Sequence, residues 1–179
     1  MRNGAVLFAF LFSAGCGEKQ MATTVAVHHP ELSAPGHLTV STNAVGTNGV
    51  LQTDFTASGA RTQPKITWSG VPANTREVVV LIEDPDAPGD SPYVHLLVEG
   101  IPPGQTEYPG PNGVLAANSE GKDAYSPPNP PPGLPHHYHF EVLALGAHLG
   151  AKPISRDELF QQMASHVVAS GEVVGAFGG

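Results

Sequence analysis

Glycine or proline interrupts this chain every few residues: 21 glycines and 18 prolines stand among 179 positions. Proline removes a backbone donor and fixes φ, and glycine weakens helix interiors, so short strands joined by turns are favoured over long helices. There is no Gly-X-Y period, which excludes a collagen-like rod. With 40% of the residues hydrophobic, wholesale disorder is excluded as well. The length suits one domain with a short leader and suffices to bury a core. The formal charge is −8, from 8 basic and 16 acidic residues. A general nucleic-acid binder needs a basic surface, so no nucleic-acid partner is expected.

The amino terminus predicts export. Met1, Arg2 and Asn3 precede the apolar stretch Ala5–Phe12, which runs into Ser13, Ala14, Gly15 and Cys16. A basic start, a short apolar segment and small residues before a break describe an export signal. The stretch is too short to span a bilayer, which takes about 20 apolar residues. The lone cysteine, placed where the apolar segment ends, resembles the lipidated residue of a bacterial lipoprotein. Residues 1–16 are therefore assigned to a signal of lipoprotein type, with Cys16 the lipidated residue. Residues 17–35 are assigned to a flexible tether and 36–179 to the folded domain. The protein is expected outside the cytoplasm, held to a membrane through an N-terminal lipid or released as a periplasmic or secreted protein. With one cysteine in the chain, no intramolecular disulfide can form.

The pattern predicts strands at His37–Ser41, Lys65–Trp68, Glu77–Glu83, Val94–Val98, Tyr138–Leu145 and Val173–Phe177. The run at 77–83 is continuously apolar between its end glutamates, as in a strand buried on both faces. One helix is signalled by the capping box Ser155-Arg156-Asp157-Glu158. Leu159, Met163 and Val167 continue it at a spacing of four, with Phe160 on the same face and Gly171 as its stop. Strands that do not alternate with helices point to a mainly β sandwich rather than a doubly wound sheet.

Four segments set polar chemistry beside apolar strands. Asp84-Pro85-Asp86-Ala87-Pro88 places two carboxylates at the exit of the most apolar strand, where they either act at a site or cap the turn that follows. His95 lies within Val94–Val98. Tyr125–Gly133 holds five prolines in nine residues, a stiff stretch that serves as a linker or as the wall of a pocket. In His136-His137-Tyr138-His139 an extended backbone sends His136 and Tyr138 to one face and His137 and His139 to the other. The second pair suits a His-x-His metal site and the first one side of an anion pocket; spacing leaves both open.

At these segments the chain resembles the phosphatidylethanolamine-binding protein family, in its bacterial YbhB/YbcL (Raf kinase inhibitor-like) branch. The resemblance runs from about Leu51 to Gly179. Pro64–Pro72 is similar to the family's Trp-containing entry motif, Asp84–Pro88 to its first signature, Tyr93-Val94-His95 to its aromatic-x-His step and Tyr125–Tyr138 to its second signature. The resemblance implies a two-sheet β-sandwich with a C-terminal helix. It also implies a non-catalytic binding module whose small pocket takes phosphate, phosphorylated headgroups or carboxylates, without a cofactor. The implied ligand-binding residues are Asp84, Asp86, His95, Pro128, His136 and Tyr138. His136 and Tyr138 thereby face the pocket, and the imidazoles and phenol would donate to an oxyanion. Three departures stand out: Ser126-Pro127 replaces Gly-Gly, His137 replaces an arginine and so removes a fixed positive charge, and Val94 replaces a tryptophan.

Besides a small anionic or phosphorylated ligand, the expected partners are a membrane, through the lipid anchor, and an unidentified protein. Two rival functions remain at this point. One is a metal-binding protein using His137 and His139, or His95 and His136 with Asp84 or Asp86. The other is a phosphate-ester hydrolase using Asp84 and Asp86, after the Asp-x-Asp of haloacid dehalogenase-like phosphatases. That fold needs alternating strands and helices, which the pattern here does not provide.

Overall fold

The computed structural model describes residues 24–150 and 155–178; the leader and Cys16 lie outside them. The described chain is mainly β, with strands β1 (Gly36–His37), β2 (Thr39–Thr42), β3 (Ile66–Ser69), β4 (Glu77–Asp84), β5 (Tyr93–Ile101), β6 (Glu107–Tyr108), β7 (Val114–Leu115), β8 (His136–Leu145) and β9 (Val167–Phe177), and one helix, α1 (Arg156–Met163). They form a six-stranded sheet in the order β1-β9-β8-β4-β5-β7 and a three-stranded sheet in the order β2-β3-β6. All pairings are antiparallel except β1 with β9.

The continuous apolar run becomes β4, whose eight residues are all buried. It lies between β8 and β5, so one face packs inside the sandwich and the other is covered from outside. Val78, Val80 and Ile82 face Trp68, Ile66, Leu96, Val98, Tyr138, Phe140 and Val142 in the core between the sheets. Val79 and Leu81 face outward and join Leu97, Leu143 and Leu145 beneath α1. Burying a side chain of this size contributes about 1.5–3 kcal/mol, so both faces of β4 stabilise the fold. In β9, Gly171 passes under Leu38: a Cβ there would come within 2.2 Å of the Leu38 carbonyl oxygen.

The carboxyl-terminal segment differs from its sequence pattern. Ser155 caps α1 by accepting from the Glu158 backbone N–H at 3.1 Å, but the helix stops at Met163. Val167 begins β9 instead of closing the helical face. Ser165 sits at φ +65°, a turn that no helix continues through, and the β-branched pair Val167-Val168 then pairs along β8. The ten-residue register with β8 outweighs the periodicity.

Residues 24–35 are also unlike a free tether. Two 3-10 turns, Ala26–His28 and Pro30–Leu32, dock on the outer face of the large sheet, with Val25, Ala26 and Leu32 buried. The Ala26 N–H donates to Glu83 Oε2 at 2.8 Å, and Arg156 binds both Glu83 and the Thr24 carbonyl. Turns this short carry no period, which is why the sequence pattern is silent about them. No helix among the described residues is long and apolar enough to cross a membrane.

Candidate functional site

A cavity of about 280 Å³ opens where β4 ends and β5 and β8 begin. Asp84 supplies the last residue of β4, His95 comes from the start of β5, and His136 and Tyr138 come from the start of β8. The antiparallel register brings these ends together: Asp84 pairs with Tyr93, and Glu83 with His139. His136 and Tyr138 share the inner face of β8, as alternation requires. Pro127, Pro130 and Pro131 form a wall. Tyr125 anchors that wall by donating its hydroxyl to the Phe55 carbonyl at 2.7 Å.

Asp84 both caps a turn and lines the cavity. Its Oδ1 accepts from the Asp86 and Ala87 backbone N–H groups at 2.9 and 3.1 Å, closing the turn after β4. Its Oδ2 accepts from His136 Nδ1 at 2.8 Å. His136 therefore carries a proton on Nδ1, and Nε2 is the ring nitrogen left for a ligand. His95 repeats the arrangement with a different acceptor. Its Nδ1 lies 2.7 Å from the Ser126 carbonyl oxygen, which can only accept, so Nδ1 is again the donor. His95 Nε2 is buried without a hydrogen-bond partner. Burial holds this imidazole below its ordinary range, against the opposing pull of the Ser126 carbonyl and the Asp84 and Glu120 carboxylates. Neutral His95 thus presents a lone pair at Nε2 and becomes a donor there only when protonated. For His95, the expected donation to an oxyanion therefore requires protonation of the imidazole. The reason is that backbone and carboxylate partners fix the tautomer, which spacing along the chain does not reveal.

The rest of the lining lies outside the six residues expected to bind ligand. Tyr93 packs against His95 in a tilted contact, with ring centroids 4.7 Å apart and planes at 47°. Glu120 and Ser126 complete a network in which the Ser126 hydroxyl donates to Glu120 Oε1 at 2.7 Å and the Tyr93 hydroxyl donates to the same oxygen at 3.2 Å. Hydrogen bonds from Lys122, Ser126 and Tyr93 hold the Glu120 carboxyl down at about 2. Lys122 is spent on Glu120 at 2.7 Å, and no lysine or arginine lines the cavity. Burial raises the Tyr138 phenol, so it stays a neutral hydroxyl.

Of the six residues expected to bind ligand, four line the cavity: Asp84, His95, His136 and Tyr138. Asp86 turns away and accepts from both the backbone N–H and Nδ1 of His137, each at 2.8 Å. Hydrogen bonding and charge from His137 hold the Asp86 carboxyl below its usual range despite partial burial. Pro128 is buried behind the wall, and its carbonyl accepts from Ala57 N–H at 2.9 Å. His137 and His139 do not converge on each other: His137 pairs with Asp86, and His139 pairs with Glu172.

The profile of the phosphatidylethanolamine-binding proteins matches residues 41–178. The chain belongs to the phosphatidylethanolamine-binding protein family. Within this family it is 35% identical over 144 residues to the UPF0098 protein of Pyrococcus horikoshii, covering 74% of this chain and 72% of that one. It is 33% identical over 168 residues to a Mycobacterium tuberculosis protein provisionally named as the lipoprotein LppC, covering 88% of this chain and 80% of that one. The crystal structure of Escherichia coli YbcL, described as a new member of the mammalian family, superposes with a TM-score of 0.72 at 28% identity, over 80% of this chain and 99% of YbcL. The two-sheet sandwich with one helix near the carboxyl end is thus the family fold, and the chain is a binding protein of this type.

Proposed function

We propose that the cavity is a binding site for a small phosphate-bearing ligand, either free phosphate or a phosphorylated headgroup, and that the protein acts by binding rather than catalysis. One observation carries the reading: His95 Nε2, in a lining residue, is buried without a partner. A native fold leaves a buried polar atom unpaired at a cost of about 1–3 kcal/mol, and a ligand that pairs with it recovers that cost. The stiff proline wall lowers the ordering cost of binding. The Ser126 hydroxyl is held by Glu120 and Tyr93 rather than by an imidazole, so the cavity lacks an activated serine.

The tautomers set how an anion binds. With its Nδ1 proton committed and its imidazole held neutral by burial, His95 meets a phosphate oxygen only if a proton arrives, on the imidazole or on the ligand itself. Binding is therefore coupled to proton uptake and strengthens as pH falls through the imidazole range. Asp84 and Glu120 repel a bare anion and favour a ligand that also carries an ammonium. Phosphate and phosphoethanolamine titrations in two buffers of different ionisation enthalpy measure both effects. The expected result is net proton uptake, with phosphoethanolamine the tighter ligand. His95→Asn keeps a donor to the Ser126 carbonyl but removes Nε2, and should weaken either ligand about ten-fold or more, the worth of one hydrogen bond to a charged group. His95→Gln supplies a permanent amide donor near Nε2 and should flatten the pH dependence. Equal affinity in wild type and His95→Asn would remove the cavity from the proposal.

The likeness to LppC supports the further reading that Cys16 is lipidated and anchors the protein outside the cytoplasm. Loss of fatty-acid labelling in Cys16→Ser is the expected result; labelling that survives the substitution contradicts it.

A further inference from the structure

On the opposite face of the large sheet, among the described residues, three potential metal ligands from three different elements converge. His28 stands on the first 3-10 turn, His139 on β8 and Glu172 on β9. His28 Nε2 lies 2.6 Å from Glu172 Oε1, and His139 Nδ1 lies 2.7 Å from Glu172 Oε2. Their ligand atoms all fall within 4.8 Å of one another. We propose that His28, His139 and Glu172 form a site for a divalent transition-metal ion of the zinc class, which clips the segment before β1 onto the sheet.

The donor set fits that ion class. Two imidazole nitrogens and one carboxylate are ligands for a borderline ion, whereas calcium and magnesium take oxygen. Ligand atoms in a tetrahedral site of bond length about 2.0–2.1 Å stand about 3.3 Å apart, so the present contacts open by a little over half an ångström to admit the ion. His28, whose side chain is 58% exposed, opens its contact with Glu172 by swinging outward, and rotation of the Glu172 carboxylate opens the contact with the more buried His139. Three protein ligands leave a fourth position on the exposed side for water.

Two further glutamates stand on the same face. Glu141 sits directly opposite Glu172 in the β8–β9 register and is fully buried. It faces Glu83 and the Val27 backbone, yet neither carboxylate oxygen forms a well-shaped hydrogen bond. This face therefore gathers Glu83, Glu141 and Glu172, with Arg156 the guanidinium bound to Glu83. The carboxylate of this face that carries no arginine partner is Glu172, the one held between His28 and His139. The site lies across the sheet from the cavity and does not depend on what the cavity binds.

The test uses the full chain without a histidine tag, stripped with chelator and titrated with zinc chloride by calorimetry. One equivalent should bind at micromolar or lower concentration. Loss of a ligand should weaken binding about 100-fold or more, beyond the about 10–100-fold typical of outer partners. That loss is expected for His28→Ala, His139→Ala and Glu172→Gln, and not for the exposed His166→Ala. Zinc should also slow amide hydrogen exchange over residues 24–29 in wild type but not in His28→Ala. His28 is exposed, so its variant tests the site without threatening the fold. Absence of saturable zinc binding, or binding equally tight in all three ligand variants, overturns the proposal; the second result would move the ion elsewhere, with His95 and His136 the next pair to replace.

Discussion

Strand β8 shows imidazoles to both faces of the large sheet, and the two faces treat them differently. On the inner side, His136 and the neighbouring His95 each commit Nδ1 to an internal acceptor and hold Nε2 in reserve beside a cavity. On the outer side, His139 and His28 turn their nitrogens toward a single carboxylate, Glu172, next to two further glutamates. The inner arrangement is a preformed cavity with its tautomers fixed. The outer one is a cluster of carboxyl groups tied down by Arg156 and covered by the segment before β1. Similar side chains on one strand thus acquire different chemistry from what packs over them.

The sharpest way to break this comparison is at the outer charge cluster. Arg156→Ala leaves Glu83, fully buried, with the Ala26 N–H and no cation beside Glu141. Removing one partner of a buried pair should cost about 3–5 kcal/mol in urea unfolding, more than any single change at the cavity. A loss under about 1 kcal/mol would mean that the outer face is wetter than its packing implies.

Glu141 gives the next largest effect. Burial, then the neighbouring Glu83 and Glu172 charges, raises its carboxyl well above the ordinary value of 4.5. The folded chain keeps this proton while the unfolded chain releases it, so stability is fully present below about pH 4.5 and declines as pH rises toward the raised folded value. Glu141→Gln removes that decline. It should raise Tm by several degrees near pH 8 in metal-free protein and change little below pH 4.5. An equal shift at both pH values would show packing rather than ionisation at work.

His95 reverses the sign. Its imidazole is held below the ordinary 6.5 by burial, so its contribution is complete above about pH 6.5 and is lost as pH falls through the lower folded value. Without ligand, His95→Asn should therefore reduce the drop in Tm between neutral and mildly acidic solution. Glu120 sharpens the comparison from the exposed rim. Its carboxyl, near 2 instead of 4.5, adds stability above about pH 4.5 that disappears toward pH 2. Solvent screens so exposed a group, so Glu120→Gln should produce the smallest change in Tm of the four.

The site was legible where residues belong to a strand and hidden where they belong to packing. Alternation placed His136 and Tyr138 together and His139 away from them, and the Asp84 turn was readable from its Asp-Pro-Asp order. Asp86 and Pro128 were assigned to the pocket by resemblance, but the turn points Asp86 at His137 and the proline wall shows a different edge to the cavity. Glu120 gave no signal of its own, and the motifs that contain Tyr93 and Ser126 did not show that the three would meet, because their contacts cross 27 and 33 positions of chain or arise within a loop. Val167 was read as helical because a spacing of four is local, whereas its pairing with Leu145 is not.

By itself the sequence determined that strands would dominate, that the run at 77–83 would be buried on both sides, and that acidic, imidazole and phenol groups would cluster at strand ends. Those follow from backbone stereochemistry and from apolar side chains leaving water, which act over a few residues. Tertiary structure alone decided which nitrogen of each imidazole is free, which carboxylates meet, and that residues 24–35 close the outer face. Such outcomes depend on acceptors and charges supplied by distant segments, and a local pattern carries no record of them.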